Sequence, residues 1–146
     1  GIGFTNPFHI QFTQRLVSQG NRLAATIMLF NLVGVDQTFP AAAVVDAMEF
    51  PERDHSRGLE KLLNWEEAYE STPAIFTNLM AVFKAYQLVE PDENINRWVW
   101  LKENAGFRAS EYFAPYVEEL GLEAYWREKG FPRDCRPLAG DKFECD

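Results

Sequence analysis

The chain's only two cysteines, Cys135 and Cys145, stand ten positions apart near its end. Such a pair can close a disulfide, supply half of a metal site, or remain as two thiols. A four-ligand zinc site needs further imidazoles or thiolates close by, and the only histidines, His9 and His55, are remote in sequence. The disulfide is therefore the favoured reading. It would stabilise the tail by about 3 kcal/mol on the chain-entropy account, and it would imply an oxidising compartment.

Other reactive types are present, but each has a structural duty that explains it. His55 lies in Glu52-Arg-Asp-His-Ser-Arg, which sets an acid, a base and a hydroxyl side by side. Consecutive residues at a helix start point in different directions, and Asp54 or Ser56 is what a helix cap requires. His9 sits among apolar neighbours in the first helix and reads as packed or solvated. Glu66, Glu67 and Glu70, and Glu118, Glu119 and Glu123, are clustered carboxylates; a di-iron site would need Glu-x-x-His on two helices, and no such pair occurs. They read as solvated faces. The glycine-rich nucleotide fingerprints, Gly-x-Ser-x-Gly and His-Glu-x-x-His are all missing from the sequence. No catalytic residue, metal ligand or cofactor is expected, and the chain reads as a non-enzyme.

The aromatic residues offer binding rather than catalysis. Trp98 and Trp100 are two apart, so about 200° separates them on a helix and they cannot share a face. Tyr69, Tyr86 and Trp100 are candidates to line a concave, aromatic groove for a peptide, protein or small molecule. Tyr125 and Trp126 are expected to cap the open end of a helical stack.

The elements that must position these residues read as helices punctuated by turn formers. Phe8, Phe12 and Leu16 recur at four-residue spacing over 7–18, and Gly20 ends that helix. Asn21 caps a second, to Val33. Pro40 opens a third, to Glu49, and a fourth covers 56–70. Ser71-Thr72-Pro73 starts a fifth, expected to run to Val89. Asp92 starts a sixth, to Asn104; Ser110 caps the seventh; Leu122–Lys129 is the eighth. Pro115 lies five residues past Ser110 and implies that the seventh helix starts late or kinks. Paired, these helices give hairpins at 7–33, 40–70, 72–104 and 110–130. The expected architecture is all-α: one domain over 1–146, with antiparallel helical hairpins to residue 130 and an irregular, stapled tail over 131–146.

Composition bounds the partners. At 146 residues, with 47% hydrophobic and 14% aromatic content, the chain can bury a core. A net charge of -8 opposes direct binding to nucleic acid, which rests on neutralising phosphates with Lys and Arg. The apolar run Leu23–Val33 is bounded by Arg22 and Gly34 and falls short of the roughly 20 residues that cross a bilayer. Gly1 is followed by no secretory leader pattern. The chain reads as a mature or excised piece, with any membrane anchor upstream.

Six short motifs near the end of the chain carry a resemblance. Phe107-Arg, Val117-Glu-Glu-Leu-Gly-Leu, Tyr125-Trp126-Arg, Gly130-Phe-Pro, Cys135-Arg-Pro and Phe143-Glu-Cys145 resemble, in order, the closing segment of bacterial tetratricopeptide-like repeat regions. Such regions follow a CadC-like winged-helix domain and a membrane span, or a nucleotide cyclase domain. The resemblance covers about residues 106–146, and upstream no hairpin shows the standard repeat consensus. It implies a divergent tetratricopeptide-like superhelix that serves as the sensory or interaction module of a signalling or transcription-regulatory protein, lying in the periplasm. The alternative it implies is the regulatory accessory domain of a nucleotide cyclase, in the cytoplasm.

Overall fold

Helix boundaries follow chain closures that satisfy the last carbonyls of each helix. A computed structural model describes residues 8–34, 36–91 and 98–146, and these form two compact units divided between Ala85 and Tyr86. The side chains of His9 and Trp98, and the expected Asp92 start, lie outside the described residues. In the first unit α1 (Phe8–Ser18) ends in a Schellman closure. Asn21 N donates to Leu16 O and Gly20 N to Val17 O, with Gly20 at φ 78°. Asn21 then turns its side chain to accept from Ala24 N at 3.2 Å, and α2 (Arg22–Leu32) begins.

α3 (Ala41–Glu49), α4 (Ser56–Tyr69) and α5 (Pro73–Val82) complete the unit. α1 packs on α2, α3 contacts α1, α2, α4 and α5, and α1 also reaches α5. Ile10, Leu29, Leu32, Val44, Val45, Leu62, Leu79 and Met80 are buried between them, each contributing about 1.5–3 kcal/mol. Gly58 permits the close approach of α4: a Cβ there would lie 3.1 Å from the Ala43 Cβ and 3.2 Å from the Phe83 ring. Arg22 bridges to Asp46 at 2.7 Å and also to Glu49, and these two bonds hold its guanidinium charged.

The fifth helix stops at Val82 instead of continuing to Val89. Its end repeats the closure of α1: Ala85 N donates to Met80 O and Lys84 N to Ala81 O. Lys84 takes the left-handed position at φ 57°, which costs a non-glycine residue roughly 1–2 kcal/mol. With lysine at that position, the sequence carries no visible stop signal. A short 3₁₀ turn, Tyr86–Leu88, opens the second unit.

Among the described residues that unit holds two more 3₁₀ turns, Trp98–Trp100 and Lys102–Asn104, in place of a regular helix to Asn104. They lead into α6 (Ala105–Arg108), then α7 (Phe113–Glu119) and α8 (Leu122–Lys129). Ser110 does not cap α7. Its hydroxyl donates to Phe107 O and accepts from Tyr112 N, and α7 starts three residues later. Pro115 consequently falls in the first turn, where no backbone donor is required.

The tail is a small antiparallel sheet, β1 (Cys135–Pro137) against β2 (Phe143–Cys145), so the chain is mostly helical rather than all-α. Strands of three residues are too short for alternation to show in sequence. Cys135 and Cys145 face each other and form a disulfide, with Cα atoms 4.0 Å apart. Asp146 N donates to Asp134 O and Leu138 N to Lys142 O, each at 2.8 Å. By the alternation of an antiparallel ladder, the Cys135–Cys145 and Pro137–Phe143 pairs are non-hydrogen-bonded, which suits a proline that has no N–H to give.

Candidate functional site

Trp65 and Tyr69 stand four apart on α4 and therefore share a face. Their rings stack at 5.4 Å and 18°. Trp65 is the inner ring: it is 7% exposed, meets Phe39 edge-on at 4.8 Å, and its Nε1 donates to Asp36 Oδ2 at 3.2 Å. Tyr69, the outer ring, is 54% exposed. The pair forms a ledge with a fixed inner half and an open outer half.

Asp36 anchors the ledge through a local turn. Its Oδ1 accepts from Thr38 Oγ1 at 2.6 Å and from Thr38 N at 2.8 Å. These bonds, with that from Trp65, hold its carboxyl below the ordinary aspartate range. At the other end, α4 closes at Glu70, in the left-handed region at φ 48°. Ser71 then donates to Glu66 from both N and Oγ, at 2.7 and 2.6 Å, and Thr72 caps α5 by accepting from Ile75 N. Glu66 is thus a structural acceptor rather than part of a solvated face.

Clefts flank the ledge on both sides. One, of about 360 Å³, has Asp36, Trp65, Tyr69, Glu70, Ser71 and Thr72 among its walls. The other, of about 530 Å³, is bounded by Thr38, Lys61, Asn64, Trp65, Ala68 and Tyr69. Both volumes lie in the range of small-ligand clefts, roughly 300–1,000 Å³. Together they offer a flat π-surface, two carboxylates, an amide, hydroxyls and one ammonium: groups that bind and orient.

The remaining aromatic candidates lie in the second unit. Tyr86 packs at 5.5 Å from Phe107, and burial pushes its hydroxyl above the ordinary tyrosine value. Trp100 meets Phe113 edge-on at 6.2 Å and Trp126 at 5.9 Å. Trp126 is buried and also touches Phe131 and Phe143, while Tyr125 is exposed. Tyr86 and Trp100 thus join the aromatic interior around Phe107 and Phe113, whereas Tyr69 forms the outer ring of the ledge.

Arg108 is a key residue of this unit that sequence reading passes over. It is buried, with Nη1 donating to Val99 O at 2.6 Å and Leu101 O at 2.8 Å, and Nε to Asp146 O at 2.6 Å. A planar guanidinium fork can serve three carbonyls at once. Phe107-Arg gives no hint of it, since all three acceptors are backbone groups set by the fold. Asp36 had a readable turn signal, Asp-x-Thr, but its bond to Trp65 spans 29 residues and is invisible locally.

The Asp54-His55-Ser56 trio is used in folding. Asp54 accepts from Ser56 N at 2.9 Å and from the Ser56 hydroxyl. His55 Nε2 lies 2.6 Å from Phe50 O. Among the described residues no group of three or more His, Cys, Asp or Glu is placed to hold a metal ion, and no helix is long and apolar enough to cross a membrane.

Comparison with protein-family models, curated proteins and solved structures returned no match.

Proposed function

We propose that this chain is a non-enzymatic binding module, the divergent tetratricopeptide-like sensory or interaction region of a bacterial signalling or transcription-regulatory protein, and that the Trp65–Tyr69 ledge receives its ligand. One observation carries the reading: the outer ring of a rigid aromatic stack is open between two clefts of ligand size. A large aromatic ring left half in water forgoes the burial that would stabilise the fold, and such rings serve recognition at low conformational cost. The tail disulfide supports a periplasmic setting, since disulfides persist in oxidising compartments.

A fragment screen by amide NMR tests the site. Peptide and small-molecule fragments should shift the resonances of Asp36, Asn64, Trp65 and Ser71 together, and Tyr69→Ala should weaken those shifts at least tenfold without changing the thermal melt. Fragments that bind elsewhere, or whose binding is indifferent to Tyr69→Ala, would remove the ledge as the site.

A further inference from the structure

The two clefts beside the ledge differ in charge. Lys61 stands in the wall of the larger one. The smaller, of about 360 Å³, has Asp36 and Glu70 in its walls and, among the described residues, no Lys, Arg or His. Neither carboxylate is neutralised by its own chain. Asp36 accepts from Thr38 and from the Trp65 indole, all uncharged donors, and these bonds favour its ionised form. The Glu70 side chain has no hydrogen bond or ion pair among the described residues. Two negative charges thus flank an aromatic face inside a cleft, where the field is concentrated and a cation is drawn in. A neutral ligand would leave both charges without a partner, and an anion would be repelled.

The rings select among cations. Trp65 and Tyr69 lie within 18° of parallel, and Trp65 takes one face of Tyr69, so a ligand meets a single flat surface, the outer face of Tyr69. A quaternary ammonium is held by several rings set around it as a cage, and a primary ammonium is a compact, strongly hydrated point charge. A guanidinium is planar and weakly hydrated, stacks on an aromatic face and forks to a carboxylate. Acceptor capacity places the fork. A carboxylate offers about four lone-pair sites; Asp36 has committed Oδ1 twice to Thr38 and Oδ2 once to Trp65, whereas Glu70 keeps both oxygens. We propose that the smaller cleft takes a guanidinium group, stacked on the outer face of Tyr69, with Glu70 receiving its fork and Asp36 adding charge and a last acceptor site. The assignment deepens the reading of the ledge as the binding site and rests on it.

Capped tripeptides Gly-Arg-Gly, Gly-Lys-Gly and Gly-citrulline-Gly, titrated into the full chain, test this through the amide resonances of Ser71 and Thr72 and the Trp65 indole N–H. Citrulline keeps the shape of arginine and lacks its charge. The arginine peptide should bind about tenfold or more tightly than either of the others, and less tightly as salt rises. Glu70→Gln should bring it down to the level of the citrulline peptide while circular dichroism stays unchanged, and Lys61→Gln, in the other cleft, should not weaken it. Free L-arginine separates the sources: binding as tight as the peptide's assigns the guanidinium to the free amino acid, weaker binding to a side chain of a partner, and both uphold the proposal. Equal binding of the arginine and citrulline peptides, lysine binding as tight as arginine, or a preference that survives Glu70→Gln would overturn it. Where such unselective binding is still lost in Tyr69→Ala, the ledge stands and only its ligand class falls; where no probe gives shifts that depend on Tyr69, the ledge falls too.

Discussion

Single atoms decide several features of this fold, and two of them give tests with a definite sign. Gly106 lies inside α6, where Gly→Ala ordinarily stabilises by about 0.5–1 kcal/mol. Here a Cβ would stand 2.5 Å from the Tyr86 hydroxyl, and the Tyr86 ring is held against Phe107. Gly106→Ala should therefore destabilise by about 1–2 kcal/mol, read as a lower denaturation midpoint. Removing the hydroxyl with Tyr86→Phe should recover most of the loss.

The second test concerns Asp36. Its carboxyl is held below its ordinary value of 3.8, chiefly by Thr38 and then by Trp65. A depressed folded-state pKa contributes stability above the unfolded value, and that stability is lost as pH falls through the folded one. The Trp65 indole N–H resonance should report that loss with an apparent pKa under 3.8, and Asp36→Asn should abolish the titration. A midpoint at or above the ordinary value would show that the Thr38 turn does not form.

At the scale of elements, legibility tracked how local the deciding interaction was. α1, α2 and α5 start or stop where Gly20, Asn21 and Thr72-Pro73 announce it, because caps and closures made by their preferred residues leave a mark in the sequence. The end of α5 was hidden, since Lys84 fills a glycine's position. The turns around Trp98–Asn104 and the short α6 answer to the carbonyls that Arg108 gathers, a long-range demand with no local period. The ledge was half legible: Tyr69 stood out as an aromatic candidate and Trp65 lies one helical turn before it, but the anchor Asp36 is joined to them only by the fold.

Trp126 reports on the second unit's packing, with contacts to Trp100, Phe131 and Phe143. Trp126→Ala should cost about 3–5 kcal/mol. His55→Ala, which gives up one hydrogen bond to Phe50 O, should cost about 1 kcal/mol. Denaturant melts of the purified variants compare them, and equal midpoints would refute the packing role of Trp126.

At the scale of the whole molecule, the chain carries its two units by different means. The first is an aliphatic helix cluster; the second is an aromatic core with a covalent clasp, the disulfide beside Phe143, whose ring meets Phe113, Trp126 and Phe131. Replacing Cys135 and Cys145 together with serine should lower stability by about 3 kcal/mol. The loss should appear in the near-ultraviolet signal of the tryptophans, and an unchanged midpoint would show that the bridge is ornamental.

The tail ladder has one more consequence. Side chains in a strand alternate between faces, so a slip of one residue would turn every one of them over. In the native pairing Cys135–Cys145 and Pro137–Phe143 share a face, and Arg136–Glu144 takes the other, where Arg136 also bridges to Asp146. A slipped ladder would oppose a cysteine to a charged residue and could not be oxidised in place. The bond thus locks the register: once closed, it holds the one alignment that places Phe143 on the face the disulfide shares.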